Sequence, residues 1–159
     1  MKLQWKTTLK LAAAASVLAA SSFALAQQTT KPENLIKWRQ SVFQVIGWNT
    51  GRIKANLEGS YNKDEVVKSA NALAALSRSG FEGLFVPGTE QGKGWHDTSV
   101  RPEAFSNNKH FVELAQNYSV EAGNLAAVAA SGDQAAVKAE FGKLTKACKA
   151  CHDDFKSKD

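Results

Sequence analysis

The sequence predicts an all-α fold, an antiparallel four-helix bundle that follows a short N-terminal leader. Three observations lead to this prediction. After residue 30, apolar residues recur at spacings of three and four, which is typical of amphipathic helices. Four segments carry this spacing, and they are joined by short turns and one longer loop. Short connections favour antiparallel neighbours, so the four segments favour a bundle.

The first 26 residues are interpreted as a secretory signal peptide. Three lysines and no acidic residue precede a run of small apolar residues, which ends at Ala26 in a small-x-small cleavage pattern. A membrane anchor is the alternative, but the apolar run is short for a membrane span. We therefore expect export to the periplasm and a mature domain at residues 27–159, which is large enough for one core.

The net charge gives no support to nucleic-acid binding. The whole chain has a formal net charge of +5, but the leader contributes three lysines, so residues 27–159 hold 17 basic and 15 acidic residues, or +2. No basic stripe is interleaved with aromatic residues. Nothing after the leader is long and apolar enough to cross a bilayer, so we expect a soluble protein without nucleic-acid or membrane partners.

The first predicted helix covers residues 30–59. Thr30 is a candidate cap, and Gly59 can end the helix. Its apolar stripe consists of Ile36, Phe43, Ile46, Ile53 and Leu57. Gly47 and Gly51 each lower helix propensity by roughly 1 kcal/mol relative to alanine. A close crossing by another helix would explain these two glycines.

The remaining chain predicts three more helices and one long loop. Residues 63–80 form a shorter helix, and residues 81–100 form a glycine-containing loop that is long enough to carry function or cover a site. Residues 101–132 form the third helix, with one face made of Phe111, Leu114, Tyr118, Ala122 and Leu125. The fourth helix begins after the cap Asp133 and continues to the C-terminus. Its stripe consists of Val137, Phe141, Leu144, Cys148, Cys151 and Phe155.

Both cysteines lie on this last stripe, and His152 follows them directly. Four interpretations of this Cys-x-x-Cys-His motif are open. A disulfide suits an exported protein, but redox motifs of this spacing normally lie where a strand meets a helix. A zinc site needs about four ligands, and His96 and His110 are the remaining nitrogen donors. The third interpretation is two small residues in a core.

The fourth interpretation, covalent haem, is favoured. Cys-x-x-Cys-His is the attachment motif of c-type haem. Two thiols one helical turn apart can reach the two vinyl groups along one porphyrin edge, and the next residue can bind the iron. The sequence therefore predicts one haem c near the C-terminus, attached through Cys148 and Cys151, with His152 as the axial ligand.

With this motif on its last helix, the chain resembles cytochrome c′, the class II c-type cytochromes that are built as four-helix bundles. The resemblance covers essentially all of residues 27–159 and is most specific in the segment CKACHDDFK. Lys156 stands where many members have arginine. Lysine keeps the positive charge there but not the planar, bidentate hydrogen bonding of arginine.

The resemblance implies a five-coordinate iron, with histidine on one side and an open apolar site on the other. It places Phe43, from the segment WRQSVF, over the open face, with Arg39 and Gln40 one turn earlier. Arg39 lies on the same stripe as Phe43, where a charged group needs a partner, and a haem propionate would provide one. The alternative is a core Phe43 and an Arg39 that reaches solvent.

The sequence also limits the function. The only methionine, Met1, belongs to the leader, which excludes a His–Met haem by composition. His96 and His110 are expected to be ordinary surface residues, and no distal His–Arg pair supports an enzyme such as a peroxidase. We expect a high-spin haem protein that binds the diatomic gases nitric oxide and carbon monoxide and can transfer single electrons. The alternative is a simple electron carrier without a physiological gas ligand, and the redox partner is unknown.

A homodimer through the first two helices is expected from the same resemblance. The outer face of the first helix carries Trp38, Val45 and Trp48. One bundle core cannot enclose all of these groups, and exposed apolar patches usually mark a partner surface.

Overall fold

A computed structural model describes residues 30–157, so the predicted signal peptide at residues 1–26 lies outside the described residues. Within residues 30–157, all regular secondary structure is helical. In chain order the helices are α1 (Pro32–Glu58), α2 (Lys63–Ser77), α3 (Glu103–Ser106), α4 (Asn108–Ser131) and α5 (Gln134–Phe155), with a 3₁₀ turn at Phe81–Leu84 after α2.

The four long helices, α1, α2, α4 and α5, form the predicted bundle. Close backbone packing joins α1 to α2, α2 to α4 and α4 to α5. The backbones of α1 and α5 do not pack closely on one another in the described part of the chain, which leaves one side of the bundle open. In residues 30–157, every helix is too short or too polar to serve as a membrane span.

The core confirms most of the predicted stripes. The largest fully buried apolar side chains are Ile36, Ile53, Leu73, Leu125, Leu144, Val66 and Val137. A second cluster, made of Ala104, Phe111 and Phe155, joins α3 and α4 to the last turn of α5. The predicted cap of α5 is confirmed, because Asp133 Oδ1 accepts a hydrogen bond of 3.0 Å from the Ala136 N–H.

The structure differs from the sequence-based prediction at the third helix, which is divided. Asn107 has φ −105° and ψ 54°, which no helix can continue through. The short α3 ends at Ser106, and α4 begins at Asn108. This break turns the chain, so α3 packs beside Phe155 at the end of α5.

The explanation offered for Gly47 and Gly51 is wrong within the described chain. A Cβ atom added at either glycine would meet no other atom within 4 Å, so no helix crosses closely there. Both residues are exposed, and Gly47 borders a cavity on the open side of the bundle.

Candidate haem-binding site

A cavity of about 860 Å³ occupies the open side of the bundle, between α1 and the last turns of α5. This volume lies within the range of roughly 300–1,000 Å³ that is usual for cofactor pockets. All six residues that the sequence singled out border this one cavity: Cys148, Cys151, His152, Arg39, Gln40 and Phe43. The fold therefore brings together residues that are more than 100 positions apart in the chain.

Helix α5 presents its three motif residues to the cavity because they are three and four positions apart, a spacing that places side chains on one face. Cys148 and Cys151 are half-buried, and His152 is exposed. Two of the alternative interpretations are not supported by this arrangement. The two cysteines are free and not bonded to one another, and residues 30–157 contain no cluster of three or more His, Cys, Asp or Glu side chains suited to a metal ion.

Phe43 lies in the cavity wall contributed by α1. Its ring contacts Phe81 edge-on, with centroids 5.5 Å apart, and Phe85 edge-on at 6.3 Å. The side chain is only partly buried, so its free surface faces the cavity rather than the closed core. The structure thus places the Phe43 ring at the cavity, and its position over the open iron face stays a prediction.

Arg39 does not reach solvent as the alternative proposed, because only 2% of the residue is exposed. Its Nη1 donates to Thr89 Oγ1 at 3.0 Å and to Leu84 O at 3.3 Å. Its Nη2 donates to Thr89 O at 2.9 Å and to Thr98 Oγ1 at 3.0 Å. These bonds use four of the five N–H donors of the guanidinium, so a haem propionate would meet only the Nε–H. The propionate role of Arg39 stays a prediction.

Gln40 also binds the long loop. Its Nε2 donates to His96 O at 2.9 Å, and its Oε1 accepts from the Trp95 N–H at 2.7 Å. His96 is exposed, as the sequence suggested, but it also borders the cavity, which the sequence did not suggest. His110 likewise has specific partners, with Nε2 2.9 Å from Asp154 Oδ2 and its ring 5.6 Å from the ring of Phe155.

Comparison with known proteins decides the family. The chain matches the Cytochrome C' family model over residues 34–156. The chain belongs to the cytochrome c′ family. It is 55% identical to a cytochrome c′ of Rhodocyclus tenuis over 133 residues, which cover 83% of this chain and 100% of that relative.

Solved cytochrome c′ structures also share the fold. The crystal structure of cytochrome c′ from Thermochromatium tepidum is 42% identical, with a TM-score of 0.78, and the match covers 81% of this chain and 98% of that one. A cytochrome c′ described as having an unusual ligand-controlled dimer dissociation is 43% identical, with the same TM-score, and covers 81% and 98%. A nitric oxide complex is known for a mutant of cytochrome c prime from Alcaligenes xylosoxidans, which is 30% identical, with a TM-score of 0.71 and coverage of 81% and 98%.

As a cytochrome c′, the protein carries haem c, and the cavity fits this group. Cys148 and Cys151 stand on one cavity wall, at the spacing that two thioether bonds require. The Tyr118 hydroxyl is buried at the same cavity and has no hydrogen-bond partner among the described residues. A buried hydroxyl normally has a partner, so this orphaned donor suggests that a bound group or its associated water completes the site.

The electrostatics of this cytochrome c′ site favour neutral groups. Burial raises the pKa of the Cys148 thiol. Burial, and then the nearby Cys148 and Asp154, raise the pKa of the Cys151 thiol to about 11. Partial burial of the His152 ring, although the residue as a whole is exposed, lowers its pKa, and the charge of Lys156 adds to this effect against the opposing effect of Asp153. The neutral imidazole, which is the form that could bind iron, is therefore favoured at neutral pH.

Sequence reasoning missed the loop residues of the site. Thr98 and Ser99 border the cavity although nothing in their local sequence marks them. Tyr118 was assigned to the apolar face of the third helix, and its free hydroxyl was not anticipated. The long loop was the only signal, because its length predicted that it covers something.

Covalent attachment can be tested by replacing the thiols. We expect Cys148→Ala and Cys151→Ala each to weaken haem attachment, and the double variant to abolish it, because each thiol supplies one thioether bond. After acid denaturation, mass spectrometry of the native chain should show one haem retained.

Lys149→Ala is the matched control, since Lys149 lies between the cysteines with 73% of its side chain exposed and does not border the cavity. This variant should keep its haem. A colourless native chain from a host that matures c-type cytochromes would contradict the assignment.

Proposed function

We propose that the protein is a periplasmic, high-spin haem protein with a five-coordinate iron whose open face binds small diatomic gases, nitric oxide above all. The observation that carries this proposal is that few side chains at the cavity could serve as a second axial ligand of the iron. The chain has no methionine after Met1. His96 borders the cavity, but its Nδ1 lies 3.3 Å from Gln40 Nε2 and 2.8 Å from Asp97 O, so contacts within the loop and α1 engage that ring nitrogen.

The walls of the cavity favour neutral ligands. Phe43, Phe81, Phe85 and Phe111 all border it. The four Nη donors of the nearby Arg39 guanidinium bind loop oxygens, so they are not available to hydrogen-bond a ligand in the cavity. When bound, haem supplies an iron that can take a diatomic ligand, and an apolar wall disfavours charged competitors because they would lose hydration.

The relatives support the gas-binding part of this proposal. A mutant of cytochrome c prime from Alcaligenes xylosoxidans forms a nitric oxide complex, and it shares the fold of the present chain. Single-electron transfer is proposed as a second role from family resemblance alone. A simple electron carrier without a gas ligand remains the alternative, and no contact in the cavity favours it over gas binding.

We propose no enzymatic role. Arg39 and His96 both border the cavity, and a distal Arg–His pair would be needed for peroxidase-type acid–base chemistry. Here the four Nη donors of Arg39 go to the loop and the His96 Nδ1 lies against Gln40 and Asp97. These polar atoms are therefore engaged in holding the loop rather than free to handle a proton in the cavity.

Phe43 is proposed as the gate of the open face, and Phe43→Ala tests it. Any ligand must displace the ring, which costs packing contacts in addition to about 1 kcal/mol for an off-rotamer side chain. Removing the ring should raise the affinity and association rate of carbon monoxide by about tenfold or more, since 1.4 kcal/mol corresponds to a factor of ten. Flash photolysis of the ferrous protein measures both quantities.

Phe141→Ala is the matched control for the loss of a phenyl ring. Phe141 packs against the core but does not border the cavity, so this variant should lose stability and keep the native carbon monoxide rate. If Phe43→Ala binds carbon monoxide as the native protein does, Phe43 is a packing residue only.

Export is proposed from the leader, with cleavage after Ala26. Because bacteria that export c-type cytochromes attach the haem in the periplasm, we expect the mature holoprotein in the periplasmic fraction, with Gln27 as its first residue. N-terminal mass analysis of fractionated cells measures this. A functional holoprotein that retains Met1 would contradict export with cleavage.

A homodimer through α1 and α2 is proposed from the exposed face of α1. Trp38, Val45 and Trp48 are 51%, 47% and 62% exposed. Trp95 is 60% exposed, and its Nε1 donates to Ser41 Oγ at 2.8 Å, which adds its ring to the same apolar surface. The related cytochrome c′ with ligand-controlled dimer dissociation supports a dimer in this family.

Charge placed on this face should separate the subunits. We expect Val45→Glu to convert a dimer to a monomer in sedimentation at micromolar concentration, because a carboxylate would be buried without a partner. Val120→Glu is the matched control, since Val120 is 58% exposed on α4, away from α1. A monomeric native protein, or equal behaviour of the two variants, would remove the support for this interface.

A further inference from the structure

The last part of the long loop, residues 89–100, forms a strap across the open side of the bundle. Its first attachment is to Arg39 on α1. The guanidinium holds Thr89 through both its hydroxyl and its carbonyl oxygen, at 3.0 and 2.9 Å, and holds the Thr98 hydroxyl at 3.0 Å. Thr89 is 1% exposed and Arg39 is 2% exposed, so water does not compete for these bonds.

A second attachment to α1 depends on close backbone approach. A Cβ atom added at Gly94 would lie 2.5 Å from Gln40 Oε1 and 2.8 Å from the Lys37 nitrogen. Only a residue without a side chain fits this contact. The neighbouring Trp95 N–H donates to the same Gln40 oxygen, so the strap is seated directly on α1.

The other end of the strap is attached to the end of α5. Ser157 N–H donates to Ser99 O at 2.8 Å, and Arg101 N–H donates to Phe155 O at 2.9 Å. Val100 and Lys156 form an isolated β-bridge between these two bonds. The attached residues begin three positions after His152, the axial ligand.

We propose that Arg39 is a positioning residue of the haem site. Arg39 fixes the strap to α1, and the strap in turn fixes the last turn of α5, including His152, opposite α1. The backbones of α1 and α5 do not pack closely in the described chain, so the strap links these two helices where their own contacts do not. This role goes beyond gas binding and depends only on the haem assignment. It also differs from a propionate contact, because it acts through Thr89, which does not border the cavity.

Thr89→Val and Thr89→Ser form the decisive pair of variants. Valine keeps the shape of threonine but removes the hydroxyl that accepts from Arg39, whereas serine keeps the hydroxyl. The Thr89 hydroxyl accepts from Arg39 and also donates to Val86 O at 2.8 Å, and valine removes both bonds. With Thr89→Val, we expect amide hydrogen exchange at the distant Arg101 and Ser157 to speed up by about tenfold, from the loss of the bond that ties the strap to α1. Thr89→Ser should exchange at the native rate at both amides.

A spectroscopic measurement on the holoprotein tests the effect on His152 itself. In Thr89→Val, the iron–His152 stretching band in the resonance Raman spectrum of the ferrous protein should broaden, because His152 would occupy a wider range of positions. Thr89→Ser should restore the native band. A contact between Arg39 and a propionate alone would leave the band and the exchange rates of Thr89→Val unchanged.

Gly94→Ala provides a second, independent way to lift the strap. It should speed exchange at Ser157 and broaden the same band, because the new methyl group collides with Gln40 and with the α1 backbone. Gly83→Ala is its control, since a Cβ at Gly83 meets nothing within 4 Å. Faster exchange confined to the neighbours of Thr89, equal behaviour of the valine and serine variants, or uniform acceleration in all helices would each overturn the proposal.

Discussion

Cys148, Cys151 and His152 can serve one haem only if the face of α5 that carries them stays free of helix packing. The bundle meets this constraint by pairing α1 with α2, α2 with α4 and α4 with α5, while α1 and α5 remain apart. Close packing elsewhere tends to fill every space in a protein interior. The gap between α1 and α5 is the cavity. The phenylalanines of its wall border this gap, and the long loop bridges it.

The aromatic residues give that gap a defined shape. Phe43 packs edge-on against Phe81, which packs edge-on against Tyr118 at 6.2 Å. A second series runs from Phe85 to Phe111, at 4.4 Å, and on to Phe155 at 5.5 Å. Such contacts add about 0.5–1.5 kcal/mol each beyond burial of area. Because Phe43 also contacts Phe85 at 6.3 Å, the second series connects α1 to the end of α5, whereas the first series ends on α4. The cavity wall is therefore built from mutually supporting rings.

Much of this arrangement could be predicted because helices obey a local rule. The repeat of three and four residues identified the long helices, and the spacing of Cys148, Cys151 and His152 identified the haem motif within one turn. The break at Asn107 was missed because Ala104 and Phe111, on either side of it, are seven positions apart and so keep a helical spacing. Gly47 and Gly51 were misinterpreted because sequence spacing shows the face of a helix but not what lies against it.

The loop contacts were beyond prediction for a different reason. The bonds from Arg39 connect residues 45 to 59 positions apart, and the path of an irregular segment does not follow from any repeat. The sequence predicted that the charge of Arg39, on the Phe43 stripe, needs polar partners, and this prediction was correct. The partners found in the protein are neutral loop oxygens, which no local pattern could name.

The burial of the two thiols has a consequence for the life of the chain before haem is attached. Thiolate, not thiol, is the nucleophile that attacks disulfides and reacts with oxidants, so the reactive fraction falls as the thiol pKa rises. With its pKa near 11, only about one Cys151 side chain in ten thousand is ionised at pH 7. An exported chain would meet an oxidising environment with two cysteines one turn apart. In the folded chain before haem is attached, burial favours the protonated form of both thiols, which is the form less reactive toward oxidants.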